Sequence, residues 1–150
     1  MDVTGFPDPR SIAVVAALAV ALWFKGLWLS LVQVRARWRA RAFQRPEDAR
    51  MLGLPPGEEP AIVARAAAAW RNELENSPLF LITAVIAGLA GVRPGALAGV
   101  GAVFVLARAL HGHAQVGARQ PLRTIAWLAG VAAHAALVAL VVAAVWRGAV

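Results

Sequence analysis

The sequence predicts an all-α membrane protein, a bundle of four transmembrane helices forming one domain over residues 1–150. Three observations carry this. Apolar residues make up 60% of the chain, against roughly 45–50% in an average soluble domain. Only 15% of residues are charged and the mean hydropathy is +0.64, which argues against both a soluble globule and a disordered chain. A bilayer-crossing helix takes about 20 mostly apolar residues, and the apolar residues fall into four runs of about that length.

The first helix is expected over about residues 11–37. Its apolar run, Ile12 to Val34, is interrupted by Lys25 and Gln33. The flank Pro7-Asp8-Pro9-Arg10-Ser11 offers a helix start with Ser11 as N-cap. A cleavable signal peptide is the competing reading; the acidic flank, the long run and the lack of a clear Ala-x-Ala site weigh against it. The polar stretch Arg35 to Pro60 follows, with six arginines and then Pro55-Pro56-Gly57. Its Arg-x-Arg-x-Arg spacing reads as a helix end leaving the membrane, and its prolines and glycine as a loop.

The second helix is expected over about 61–89. Its first half carries Arg65, Arg71, Asn72, Glu73, Glu75 and Asn76 in a segment that otherwise reads as a span. Gly91 to Gly95 makes a tight turn into a third helix over about 96–113. Gly117 to Pro121 makes another turn into a fourth over about 122–146. Small residues such as Ala13, Ala16, Ala17 and Ala21 let helices approach closely in lipid. Four thin helices enclose little volume, so a binding site of useful size is expected to need a second protomer.

The net charge is +7, from 14 Arg and one Lys against 8 acidic residues. These cations sit mainly at the ends of apolar runs, where they report topology and meet anionic lipid headgroups rather than nucleic acid. The first connection holds Arg35, Arg37, Arg39, Arg41, Arg45 and Arg50, and the third holds Arg119 and Arg123; the other side has Arg10, Arg93 and Arg147. The first and third connections are therefore expected on the cytoplasmic side and both termini on the other, with a bacterial inner membrane as the expected location. Trp23, Trp28, Trp127 and Trp146 are expected to face lipid or its interface.

The chain has no cysteine and no tyrosine. Disulfides, thiolate metal sites and a cysteine nucleophile are excluded, and any thiol must come from a ligand. No metal site is expected: in His111-Gly112-His113 the two rings diverge on a helix, and no other ligand joins them at metal spacing.

Ionisable residues inside a span cost about 2.5–3.5 kcal/mol each on insertion scales and are rarely kept without a role. Arg37, Arg71, Asn72, Glu75, Arg108, His111, Arg123 and Thr124 all fall toward the cytoplasmic helix ends, at one mouth of the bundle. On the second helix Arg71 and Glu75, and Asn72 and Glu75, share a face. Several arginines suit carboxylates; a carboxylate with an Asn suits an ammonium and peptide groups. A small zwitterion with excess negative charge, such as glutathione, fits; a fatty-acid-like ligand is also compatible. Arg71 with Glu75 reads equally as a structural ion pair, Asn72 as an interhelical hydrogen bond, His113 and His134 as structural, and Arg108 as a snorkelling cation. The other half of each helix is nearly all Ala, Val, Leu and Gly, which ranks a transporter last.

The stretch Trp70-Arg71-Asn72-Glu73-Leu74-Glu75-Asn76-Ser77-Pro78 resembles the signature of the MAPEG family, the membrane-associated proteins in eicosanoid and glutathione metabolism, and of its microsomal glutathione transferases in particular. Phe43-Gln44-Arg45-Pro46-Glu47-Asp48 resembles the family's Phe-x-Asn-Pro-Glu-Asp segment, with Arg45 for Asn. Arg108-Ala109-Leu110-His111 and Pro121-Leu122-Arg123 are similar to its Arg-x-x-His and Pro-x-Arg motifs. The four stand in order and spacing over about residues 20–130.

The resemblance implies a homotrimer with glutathione as co-substrate between protomers near the cytoplasmic face, acting on a hydrophobic small molecule from the lipid. It maps the glutathione ligands to Arg37 (with Arg35 as the other register), Arg71, Asn72, Glu75, His111 and Arg123. Arg108 and Gln115, the latter standing where many members have Tyr, complete the candidate binding set. Asp48 matches a loop carboxylate proposed to assist chemistry, Arg123 the guanidinium beside the thiolate, and Thr124 a hydroxyl where some members have Ser. Ala68 stands where several members have Arg. The implied activity is a membrane glutathione transferase, with peroxidase activity as a companion; some relatives bind lipid or a partner without catalysis.

Overall fold

A computed structural model describes residues 8–148. Pro7, in the flank read as a helix start, and the outermost residues of the 1–150 domain lie outside the described residues.

Helix α1, Pro9–Ala40, starts two residues before the expected position. Asp8, not Ser11, is the N-cap: its carboxylate accepts from the Arg10 N–H at 2.8 Å, and Pro9 takes the first helical turn, where its missing N–H costs nothing. Ser11 instead lies buried, where a Cβ on Gly88 would lie 3.4 Å from its own. The helix runs three residues past Arg37 and closes at Arg41, in the left-handed region at φ 50°. Arg37 and Arg39 in its last turn complement the helix dipole.

The connection expected to be a loop contains a short helix, α2, Pro46–Met51. Proline at its start, Glu47 and Asp48 in its first turn and Arg50 in its last supply the charge order a helix favours. Helix α3 is Ala61–Leu89, α4 Pro94–Val116 and α5 Leu122–Gly148. Pro94 at N1 moves the start of α4 two residues ahead of expectation. Gly91, at φ 75°, makes the α3–α4 turn, where the Val92 N–H donates to the Ala87 carbonyl at 3.0 Å. The Gln120–Pro121 peptide before α5 is cis.

Among the described residues there is no strand. Helix α1 packs on α3 and α4, and α5 packs on α4 and α3, while α1 and α5 do not meet. The core lies between them: Leu18 and Leu22 from α1, Phe80 and Ala84 from α3, Phe104 from α4, Leu137 from α5. Phe80 and Phe104 stack with centroids 3.7 Å apart. Gly101 lets α1 press against α4, since a Cβ there would come within 2.6 Å of Leu18.

Helices α1, α4 and α5 are long and apolar enough to cross a bilayer, with mean hydropathy of 2.1, 1.5 and 2.4. The sequence predicts four such spans. Helix α3 has the length, 29 residues, but Arg65, Arg71, Glu73 and Glu75 hold its N-terminal half below that level of hydropathy. Trp23, Trp28, Trp127 and Trp146 are exposed on the bundle surface.

Candidate functional site

The candidate polar residues fall in three places. The inner set is buried among α1, α3 and α4. Lys25 is the one charge in a long apolar stretch of α1, and burial without a counter-charge would be costly. Its ammonium pairs with Oε2 of Glu73 on α3. The same oxygen accepts from Arg108 of α4, from Nη2 at 3.1 Å and Nε at 3.3 Å, and Oε1 accepts from the Ser77 hydroxyl. Lys25, Glu73, Ser77 and Arg108 are all buried, Arg108 to 1% exposure. Glycines admit the two cationic stems: a Cβ on Gly112 would lie 3.1 Å from Lys25 Cε, and one on Gly130 would lie 3.5 Å from Arg108 Cδ.

Arg108 also reaches Asn72, expected to share a face with Glu75. Its Nη2 donates to the Asn72 side-chain oxygen at 2.7 Å and to the backbone carbonyl at 3.0 Å. Arg108 is therefore a buried cation, paired through Nε and Nη2, rather than one snorkelling to the interface.

The outer set comprises Arg71 and Glu75, exposed on α3, and Arg123, half-buried near the start of α5. Among the described residues none of the three forms an ion pair, so the reading of Arg71 with Glu75 as a structural pair is not what the bundle adopts. Glu75 stands within electrostatic reach of Arg108. Arg123 Nε donates at 3.0 Å to the Gln120 amide oxygen, with the amide turned to face it, and the amide nitrogen then donates to exposed Thr124 at 3.1 Å. A guanidinium offers only donors, which sets that amide orientation. Buried His111 lies one turn past Arg108, within reach of Arg108, Lys25 and Arg123, and its Nδ1 has no hydrogen-bond partner. His113 is exposed, on a different face from His111, and stacks near Trp28. Gln115 is half-buried at the end of α4.

Arg37 and Asp48 belong to a third place, the connection between α1 and α3. Arg37 grips Glu59 through Nε at 2.8 Å and Nη2 at 3.2 Å. The Arg37 hydrogen bond holds the Glu59 carboxyl below its ordinary value of 4.5. Arg37, Asp48 and Arg71 line an open cleft of about 960 Å³ under this connection, with Arg45 and Glu59. Asp48 is exposed. Within the chain the expected set thus spreads over an inner cluster (Asn72, Arg108), an adjoining outer rim (Glu75, His111, Gln115, Arg123, Thr124) and this cleft, which Arg71 borders.

A sequence model of the MAPEG family matches residues 15–143, most of the chain. The chain belongs to the MAPEG family. Membership and the three apolar helices together make it an integral membrane protein, and they point to glutathione or eicosanoid metabolism in the membrane. No curated protein sequence matches the chain.

The MAPEG signature segment on α3 splits between the inner and outer sets. Glu73 turns inward and Glu75 outward, because residues two apart on an α-helix stand about 200° apart around its axis. Glu73 and Lys25 stand outside the candidate site set read from the sequence. The signal for Lys25 was there: a lone cation deep in an apolar helix requires a buried anion. Nothing in the linear spacing chose between Glu73 and Glu75 as that anion.

Proposed function

We propose that this MAPEG protein is an integral-membrane glutathione transferase, with glutathione peroxidase activity as a companion, acting on hydrophobic electrophiles or hydroperoxides dissolved in the lipid. It works as a homotrimer of four-span protomers, with α3 as the fourth span, the first and third connections cytoplasmic, and glutathione held between protomers toward that side. The carrying observation is that Arg71, Glu75 and Arg123, on the outer rim and the cleft beside it, make no ion pair among the described residues, whereas Glu73 just inside them is held by Lys25 and Arg108. Charged groups left uncompensated against apolar helices fit a charged ligand.

Glutathione brings two carboxylates for Arg71 and Arg123 or Arg37, an ammonium for Glu75, and the thiol this chain lacks. A guanidinium beside the sulfur favours the thiolate, the nucleophilic form. Arg123 keeps its proton and acts as a fixed charge, with Thr124 supplying a hydroxyl beside it and Asp48 a loop carboxylate. The thiol proton leaves to water, and sulfur attacks the electrophilic carbon, displacing its leaving group. His111 and Gln115 form the wall, with buried Arg108 behind it.

Calorimetric titration of glutathione into the detergent-solubilised protein tests this, with Arg123→Ala beside it. Saturable binding is expected, weakened about tenfold or more in the variant, as the loss of a charged hydrogen bond implies, together with loss of glutathione conjugation to a hydrophobic aryl halide. Absence of binding at millimolar glutathione would overturn the reading in favour of a non-catalytic, lipid-binding member of the fold.

A further inference from the structure

We infer that Lys25, Glu73 and Arg108 are positioning residues that lock the Asn72 amide with its NH2 group outward, so that Asn72 meets the ligand as a donor to a carboxylate or peptide carbonyl and not as an acceptor for an ammonium. The lock follows from donor counting. Arg108 Nη2 lies 2.7 Å from the Asn72 side-chain oxygen, and because a guanidinium has no acceptor, the atom facing it must be oxygen. The Asn72 backbone carbonyl is also occupied, by Arg108 at 3.0 Å and by Asn76 Nδ2 at 2.7 Å. Among the described residues the Asn72 NH2 group has no partner, and the residue is half-buried, so its two donors are what it presents.

Arg108 is in turn fixed by Glu73, and Lys25 supplies a second positive charge to the same carboxylate oxygen. Two cations against one anion leave the cluster with net charge +1, which favours an electron-rich group beside Asn72. The ammonium is left to Glu75, the exposed carboxylate three residues on. Of the ammonium and peptide groups that suit a carboxylate with an Asn, the ammonium thus falls to the carboxylate and the peptide groups to Asn72. The identity of the ligand rests on the glutathione reading; the orientation of the amide does not.

The test is titration of glutathione and its des-amino analogue into detergent-solubilised wild type, Asn72→Asp and Asn72→Leu, with thermal unfolding of the same samples. Asp keeps an oxygen for Arg108 but replaces the donors with negative charge, so Asn72→Asp is expected to melt within about 2 °C of wild type or above it, whereas Asn72→Leu, which strips Arg108 of its acceptor, melts about 5 °C lower or more. Asn72→Asp is expected to weaken both ligands by about tenfold or more. Tighter glutathione binding by Asn72→Asp, without the same gain for the des-amino analogue, would overturn the inference by placing the amide oxygen on the ammonium. Asn72→Leu melting with wild type would overturn the lock itself. Should wild type bind neither compound, the glutathione reading falls, and the melting comparison alone decides the lock.

Discussion

Glu73 ties three helices together, because one carboxylate answers two buried cations, from α1 and α4, and a hydroxyl of its own helix α3. Removing one partner of a buried ion cluster costs about 3–5 kcal/mol, since the remaining charge is stranded away from water. Glu73→Gln leaves Lys25 and Arg108 in that state, so thermal unfolding in detergent is expected to show a large loss of stability, on that order. Arg123 has no ion-pair partner among the described residues and is half-buried, so Arg123→Ala is expected to melt close to wild type while losing the ligand. The two variants thus separate a charge that builds the fold from one held for a partner outside the protomer. Unaltered melting of Glu73→Gln would mean that the cluster contributes nothing net.

A charged strap joins the two ends of the connection from α1 to α3, beside a backbone link from the Gly57 N–H to the Phe43 carbonyl at 3.0 Å. Arg37, in the last turn of α1, grips Glu59, two residues before α3 begins, and the Gln44 N–H donates to the same carboxylate at 3.4 Å. Because folding lowers the Glu59 pKa, the unfolded connection binds the proton more readily. The stabilisation is therefore present above the ordinary carboxylate value of 4.5 and is lost as pH falls through the lowered folded value. Proteolysis of the connection is expected to accelerate as pH drops across that window. Arg37→Ala is expected to be cut faster at neutral pH and to show little of this dependence. A connection with the same pH profile in both proteins would show that another group controls it. Since Arg37, Asp48 and Arg71 line the cleft beneath, opening the strap also changes access to it.

Much of the surface of the bundle is apolar. Trp23, Phe24, Leu31, Ile125 and Val142 are each more than half exposed, a surface suited to lipid and to other protomers rather than to water. Among the described residues the cleft lined by Arg37, Asp48 and Arg71 is open rather than enclosed, and a neighbouring protomer is proposed to complete the site. Mass measurement in detergent is expected to find a trimer; a stable monomer that still binds glutathione would remove that part of the proposal. The absence of cysteine makes topology measurable with single introduced thiols. Glu58→Cys is expected to react with an impermeant reagent from the cytoplasmic side and Arg93→Cys from the other, and the reverse labelling would invert the proposed orientation.

Membrane character, helical class and family were legible along the chain, because each depends on local quantities. Hydropathy is summed over a window, turns are marked by their own prolines and glycines, and the signature segments keep their spacing whatever the packing. Even so, local signals misplaced the cap of α1, where Asp8 competes with Ser11 a few residues away, and passed over α2, whose six residues are too few to show a period. The hydropathy of α3 is ambiguous for the same local reason, since exposed and core-facing charges lower it equally. What required three dimensions was which charge faces which. Glu73 and Glu75 are two residues apart with the same chemistry, and the arrival of Lys25 from α1 and Arg108 from α4 against one side of α3 makes the first a buried counter-ion and leaves the second exposed. Electrostatic pairing between helices depends on distances across 35 to 48 residues of chain, and those distances exist only once the helices have packed.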